Sequence, residues 1–422
     1  MGVVEGRARS GLVAVSTYAV VGADHQLSVR TIGRDDARRL TGVLPAFAGA
    51  DAPRGAWWTM PPSQDTWSWP TWSSDGEWIA AFAARPDDEA TEAVRVMSLA
   101  RDGVREMVWG TLAGAAPLYL QWHPHDAAIA VLAQSDGELT ATVFRASHLG
   151  DARPVEAGVP LYFNWSPEGS RLFVHAGEPG GSGRLVARDA LGDAEDLVMP
   201  RAAGNFCAPS FAGGRPVYVV EDEQSGRSEV VVSHMDGSDA RSLARHDGLL
   251  ALITAPGRPW AAVAASPEGA RGMYAGVELL HLYSDEVVTL THMPCIAFWW
   301  VPEAESLIVA TMDDPAGWAR GADGGHAVTL WRLDSPSGDR VRLTTFTPTR
   351  DMLYYLRYFE QFVESHPLVS PDGRWLIYAG YPCEDDVADL SRGPRIWRKD
   401  LTQPHEPAQP EADGVFAVFP RA

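Results

Sequence analysis

Six side chains in three separated regions of the sequence could carry acid–base chemistry. They are Asp65, His326, Arg357, Tyr358, Glu360 and His366. An imidazole titrates near neutral pH, and beside a carboxylate it can form a general acid–base pair or bind a divalent metal. Lone histidines at loop ends are more often structural hydrogen-bonding residues. Catalysis by this set is therefore an alternative hypothesis, and the sequence assigns no catalytic residue.

An acidic loop follows Cys383 and contains Glu384, Asp385 and Asp386. Carboxylate oxygens are the ligands that a hard cation such as Ca²⁺ prefers. The loop lacks the alternating acid and glycine spacing of calcium-binding loops, so a solvated acidic loop is the favoured interpretation. We therefore predict no cofactor, with a divalent metal as the alternative.

Aromatic side chains in predicted loops suggest a ligand-binding surface. Trp57, Trp58 and Trp318 either fix their loops to the fold or stack on a ligand, and the sequence favours neither interpretation. The other candidate ligand-binding residues belong to one later segment: Tyr354, Arg357, Tyr358 and His366. Cys207 and Cys295 are predicted to be buried thiols rather than nucleophiles.

A repeated motif indicates which elements position these side chains. It reads tryptophan, small polar residue, proline, acid and glycine; Trp165–Gly169 is the clearest copy, and Trp72–Gly76 and Val369–Gly373 resemble it. Proline presets φ for a turn and glycine accepts a positive φ, so each copy predicts a tight hairpin. Four short strands per unit, with most units spaced 43 to 50 residues apart, are typical of β-propeller blades.

The two ends of the chain complete the pattern. Residues 12–41 predict second, third and fourth strands without a first, and residues 414–420 predict a first strand alone. Together they predict a composite blade that closes the ring. The predicted fold is all-β: a β-propeller of eight four-stranded blades, or seven as the alternative, forming a single domain over residues 1–422.

The repeated turns resemble those of the TolB-like β-propeller family, over nearly the whole chain. The resemblance implies the propeller fold but little about function, because the motif is a structural turn. The related peptidases carry a Gly-x-Ser-x-Gly nucleophile motif, which does not occur here. TolB has an N-terminal domain before its ring, whereas here strand patterns begin by Leu12. The sequence is therefore similar to the propeller alone.

The composition excludes several partners. This acidic protein has a formal net charge of −20, which disfavours nucleic acid and anionic membrane surfaces as partners. Lys399 is the only lysine, so Schiff-base chemistry has almost no candidate.

No apolar run reaches the roughly 18 residues of a membrane-spanning helix. Polar residues interrupt the apolar stretch after Arg9, so we expect a cytoplasmic protein, with secretion as the minority alternative.

Three insertions are predicted to lie on one face of the ring: residues 43–68, 312–326 and 347–366. The third predicts a helix with Thr347-Pro348 at its start, an apolar face on the ring and a tyrosine-rich face over the central channel. We therefore expect a non-enzymatic binding propeller that recognises a peptide, protein or small molecule at this face. The alternative is an enzyme of lyase, hydrolase or cyclase type at the channel mouth. The oligomeric state stays open.

Overall fold

The computed structural model describes residues 17–42, 65–84, 93–177, 183–204, 207–222, 225, 227–266, 272–312, 327–381, 383–384, 387–388 and 393–421. These residues form almost only β-strands, together with two short helices. No helix among them is long and apolar enough to span a lipid bilayer.

The strands of the first half are β1 Thr17–Val21, β2 Leu27–Thr31, β3 Ala37–Arg39, β4 Thr66–Trp72, β5 Trp78–Ala84, β6 Ala93–Ala100, β7 Glu106–Ala113, β8 Ala116–Trp122, β9 Ala128–Ser135, β10 Glu138–Arg145, β11 His148–Gly158, β12 Leu161–Trp165, β13 Leu172–Ala176, β14 Arg184–Arg188, β15 Leu197–Val198 and β16 Ser210–Ala212. The later strands are β17 Arg215–Glu221, β18 Ser228–Val232, β19 Arg241–His246, β20 Leu249–Thr254, β21 Trp260–Ser266, β22 Val277–His281, β23 Val287–Thr291, β24 Ala297–Trp300, β25 Ser306–Met312, β26 Val328–Asp334, β27 Arg340–Pro348, β28 Trp375–Tyr381, β29 Cys383–Glu384, β30 Val387–Ala388, β31 Arg395–Asp400, β32 Gln409–Asp413 and β33 Phe416–Val418. The helices are α1 Arg350–Arg357 and α2 Phe359–Phe362.

Within the described residues the main strands form six antiparallel four-stranded sheets and one sheet of seven strands. The seven-stranded sheet joins β24–β27 to β28, β31 and β32 through a short pairing of β27 with β28. A bridge between Val369 and Leu376 adds a short first strand to the second of these units. The predicted β-propeller fold is confirmed. Eight blades stay a prediction, with which this arrangement of sheets agrees.

Burial falls from the first strand of a sheet to the last. Inner strands such as β20 and β24 are buried along nearly their whole length, whereas outer strands such as β3 and β23 are largely exposed. Inner strands are packed on both faces, which explains their apolar runs. The largest hydrophobic cluster combines inner-strand side chains from several sheets with those of α1 and α2.

The composite blade closes the ring as predicted. Strand β33 pairs antiparallel with β1, with Ala19 opposite Val418 and Val21 opposite Phe416. The resulting order is β3-β2-β1-β33, so the C-terminal strand is innermost.

The motif turns are tight hairpins at the ends of the inner strands. After Trp165, the Ser166 amide donates to the Arg171 carbonyl at 2.8 Å, and the Gly169 amide donates to the Ser166 carbonyl at 2.8 Å. Gly169 has a φ of +73°, and a Cβ there would lie 2.2 Å from the His123 ring. This glycine is therefore required both by the turn and by the contact with the preceding blade. We name the face that carries these turns the lower face, and the opposite one the upper face.

The predicted helix is present but begins differently. Thr349, rather than Thr347, is the N-cap, and its side chain accepts a hydrogen bond from the Met352 amide. Pro348 instead ends β27, where it pairs with Gly380. A threonine lies on either side of Pro348, and either could cap the helix. Strand β27 extends through Thr347, so Thr349 is the cap.

Segment α1–α2 lies in the centre of the ring rather than on its rim. The Phe362 ring contacts Trp69 of β4 and Tyr119 of β8, with centroids 4.7 and 5.2 Å apart. Phe359 contacts Phe298 of β24 at 5.0 Å. Because these strands belong to different sides of the ring, the segment fills the central channel and separates an upper from a lower opening.

Candidate ligand-binding site

A cavity of about 830 Å³ opens on the upper face, above the helical segment; we name it the upper cavity. Its walls are the upper ends of inner strands β8, β12 and β20, the adjoining ends of β9 and β10, and the helices. Four of the residues predicted from the sequence lie together in its lining: Tyr354, Arg357, Tyr358 and Glu360.

The helix places three of these side chains on one face. Met352, Tyr355 and Leu356 are buried toward the ring, so the neighbouring positions 354, 357 and 358 are directed to the other side. The Tyr354 and Tyr358 rings lie 4.8 Å apart, and the Arg357 guanidinium lies 5.9 Å from the Tyr358 ring centroid. Arg357 is exposed, and no carboxylate of the described residues lies within ion-pair distance of it.

Glu360 lies at the base of the cavity among neutral groups. The Tyr274 hydroxyl donates to its Oε1 at 3.2 Å, and the Ala208 amide donates to its Oε2 at 3.3 Å. Burial raises the pKa of Glu360 to about 8, so this carboxyl is mainly protonated at neutral pH. Arg357 is then the one formal charge among the described residues that line the upper cavity.

Five tyrosines line the cavity: Tyr119, Tyr162, Tyr274, Tyr354 and Tyr358. Burial, and secondarily Glu360, raises the pKa of Tyr162 and of Tyr274 well above the usual range. Burial raises the pKa of Tyr354 to about 12. The phenols of Tyr162, Tyr274 and Tyr354 are therefore neutral and can both donate and accept hydrogen bonds.

His366 does not line the upper cavity, contrary to the expectation that it faces the channel mouth. Its ring is buried among the Trp69, Tyr119 and Phe362 rings, and its Nδ1 lies 2.7 Å from the Ser365 hydroxyl. Burial lowers the pKa of His366 to about 3, so the imidazole is neutral. The chain enters the ring at this residue, and the aromatic cluster around the helix covers it.

None of the remaining candidates is among the described residues that line the upper cavity. The Asp65 carboxylate forms an ion pair with Arg95, and its backbone carbonyl accepts from Gln26 at 2.8 Å, away from the cavity lining. Trp57, Trp58, Trp318, His326, Asp385 and Asp386 lie outside the described residues. Glu384 belongs to strand β29, and nothing is described of its side chain. The described residues contain no group of three or more potential metal ligands placed to hold an ion.

Two important residues were not singled out in the sequence. Trp69 has a φ of 53° at an irregularity in β4, and its indole packs on Tyr354 at 5.4 Å, which supports the helix from the side. Tyr274 lies shortly before β22, and its hydroxyl reaches Glu360. A tyrosine near a strand start is too common a signal to predict this contact. Cys207 is buried, as predicted, and burial raises its thiol pKa.

Comparisons with known proteins agree with the propeller fold. No family model matches the sequence, and no curated protein is significantly similar to it. Similar solved structures include TolB from Acinetobacter baumannii, with 14% identity and a TM-score of 0.35. That match covers 64% of this chain and 62% of the TolB chain, so this chain spans less than two thirds of the TolB structure.

Two other similar structures are an oligogalacturonate lyase in complex with manganese and the C-terminal WD40 domain of Sif2. The lyase has 10% identity, a TM-score of 0.44 and coverage of 84% of this chain and 86% of its own. The WD40 domain has 13% identity, a TM-score of 0.48 and coverage of 85% and 88%. TolB proteins are thus among the similar structures, as the repeat motif predicted. None of these similarities indicates a function, and the fold assignment rests on the sheets themselves.

Proposed function

We propose that this propeller is a non-enzymatic binding protein that takes a small anionic ligand with an aromatic or apolar body into the upper cavity. The observation that carries the proposal is the charge of the lining: one exposed arginine, Arg357, in a wall of neutral tyrosines and leucines. A cavity of about 830 Å³ is within the usual size range of small-molecule sites.

Arg357 supplies the polar contact that would fix the ligand. A guanidinium can hold a carboxylate through two parallel hydrogen bonds, which are stronger than hydrogen bonds between neutral groups. The protein as a whole is strongly acidic, so its long-range field opposes the approach of an anion. Local pairing with Arg357 therefore has to provide the charge recognition, while the tyrosine rings provide surface for stacking.

Neutral Glu360 is compatible with an anionic ligand, because a protonated carboxyl does not repel it. The protonated group can also donate a hydrogen bond to a ligand oxygen. When the pH rises above the Glu360 pKa of about 8, a negative charge develops at the base of the cavity. We therefore expect ligand affinity to decrease as the pH rises through 8.

The first test compares aromatic carboxylates with their uncharged amides. Thermal shift and titration calorimetry would use benzoate, phenylacetate and indole-3-acetate, each beside its amide. We expect at least one carboxylate to bind and its amide to bind weakly. Arg357→Gln should weaken that binding about 10- to 100-fold, as expected for loss of a charged hydrogen-bonding partner. Arg350→Gln is the matched control, because Arg350 is exposed near the same helix but does not line the cavity.

A result in which no carboxylate binds, or in which Arg357→Gln binds as tightly as the wild type, would remove the basis of the proposal. Equal binding of carboxylates and amides would show that charge is not recognised. That outcome would leave only a neutral aromatic site.

The second candidate function is catalysis at the same cavity, and one observation favours it. A carboxyl with a pKa near 8 that lines a cavity is suited to donate or accept a proton during a reaction. Once a ligand is found, mass spectrometry of the incubated mixture separates the two functions. Conversion that Glu360→Gln abolishes while binding persists would support an enzyme. Unchanged ligand after prolonged incubation would support the binding protein.

A further inference from the structure

A second cavity, of about 440 Å³, lies on the other side of the helical segment; we name it the lower cavity. Its rim contains prolines from four of the motif turns: Pro124, Pro167, Pro256 and Pro302. Trp300, Phe211 and Ile253 extend this apolar wall. The site therefore presents a ring of rigid apolar surface around the lower opening of the channel.

Buried hydrogen-bond donors in the lining lack partners. The Trp299 indole Nε1 and the Tyr355 hydroxyl have none, although these residues are 4% and 0% exposed. Nε and Nη2 of Arg421 are also buried without a partner, and no carboxylate of the described residues forms an ion pair with this arginine. Unpaired buried donors cost free energy, and all three residues belong to the lining of this one cavity, where a ligand carboxylate would be an acceptor for them.

The same cavity also contains acceptors. Glu364 lies in the lining and is held in place by the Asn164 side-chain amide, which donates at 2.7 Å, and by the Ser210 hydroxyl, which donates at 2.9 Å. Gln121 is 1% exposed, and its Oε1 has no hydrogen-bond partner. A positively charged donor would find both a carboxyl group and a free amide oxygen here.

We propose that the lower cavity is a second ligand site, which binds a free α-amino acid with an apolar side chain. Arg421, with the Trp299 and Tyr355 donors, takes the carboxylate. Glu364 and Gln121 take the ammonium group, and the proline and tryptophan wall takes the side chain. The volume suits a molecule of this size, and the opposite charges in one lining favour a zwitterion over a simple anion. This proposal does not depend on the function proposed for the upper cavity.

Titration calorimetry with a panel of apolar L-amino acids, from alanine to tryptophan, tests it. For the best binder we expect Arg421→Gln to weaken binding about 10- to 100-fold, as for a lost charged partner. Arg350→Gln should leave this affinity unchanged, because Arg350 is exposed and lines neither cavity. Glu364→Gln should also weaken binding while it preserves the size of the side chain.

Analogues then establish which groups are recognised. For phenylalanine, the amide removes the carboxylate, 3-phenylpropionate removes the ammonium group, and N-acetylphenylalanine imitates the end of a peptide. Titrated against Arg357→Gln, whose upper cavity has lost its charge, each should bind at least tenfold more weakly than the free amino acid. The proposal is overturned if no member of the panel binds at millimolar concentration, if Arg421→Gln has no effect, or if the acetylated form binds equally well. The last result would indicate a peptide end instead.

Discussion

The upper and lower cavities lie at opposite ends of one channel, and the same helical segment forms a wall of each. Glu360 of this segment lies in the upper cavity, and Glu364, in the turn that follows the segment, lies in the lower one. Glu360 has only neutral partners and its pKa is raised, so the upper cavity keeps the single charge of Arg357. Glu364 instead shares its cavity with Arg421. The two cavities therefore differ in their charged side chains: the upper one has an arginine beside a buried, neutral acid, and the lower one has both an arginine and Glu364.

The largest effect is expected where the helical segment packs against the ring. Phe362 is buried against Trp69, Tyr119, Tyr355 and His366. Phe362→Ala should lower the free energy of unfolding by about 3–5 kcal/mol, because it leaves a hole where the helix meets the ring. Chemical denaturation measures the change, with Arg350→Gln as the control. A cost below about 1 kcal/mol would mean that the segment is not packed in the channel.

A smaller decrease in the free energy of unfolding is expected when the hydrogen bonds between the helical segment and one blade are removed. The Gln361 side-chain amide donates to the Phe163 carbonyl at 2.7 Å, and its Oε1 accepts from the Phe163 amide at 3.2 Å. Gln361→Met should lower the free energy of unfolding by about 1–3 kcal/mol for each backbone group left without a partner. The measurement is again denaturation. An unchanged stability would show that the groups find other partners.

The pH dependence of the free energy of unfolding tests the raised pKa of Glu360 in the upper cavity. The pKa of Glu360 is about 8 in the folded protein and near 4.5 when unfolded, so the folded state binds more protons between these values. The contribution of Glu360 to the free energy of unfolding is complete below pH 4.5 and is lost as the pH rises toward 8. Denaturation across this range should show a downward slope that Glu360→Gln reduces. An identical slope in wild type and variant would contradict the raised pKa.

His366 should act in the opposite direction. Its folded pKa of about 3 lies below the ordinary value of 6.5, so the unfolded state binds more protons between the two. The contribution of His366 to the free energy of unfolding is present above pH 6.5 and is lost as the pH falls toward 3. His366→Gln should flatten the acid side of the stability curve. NMR titration of the imidazole gives an independent check, since a pKa near 6.5 would exclude a buried neutral ring.

The sequence predicted the framework well because the repeat carries local signals. Trp72, Trp122, Trp165 and Trp300 end inner strands as predicted, since a turn with proline and glycine follows an apolar strand in most units. The closure of the ring by residues near both ends was also predictable, because each end alone lacked part of a blade. The helix was predicted from the helical spacing of its apolar residues.

The position of that helix could not be predicted from the same signals. Helical periodicity shows which side chains share a face, but not that both faces meet the inner strands of the ring. His366 was therefore expected at the channel mouth, whereas rings from three distant parts of the chain cover it. The lower cavity was missed because its charged groups, Glu364 and Arg421, are 57 residues apart in sequence.

A crossed titration of both cavities tests most directly whether each cavity recognises its ligand through its own arginine. Wild type, Arg357→Gln and Arg421→Gln would each be titrated with the best aromatic carboxylate and the best apolar amino acid. We expect Arg357→Gln to lose binding of the aromatic carboxylate only, and Arg421→Gln to lose binding of the amino acid only. Full retention of the aromatic carboxylate by Arg357→Gln would contradict the claim that the single charge of the upper cavity recognises its ligand.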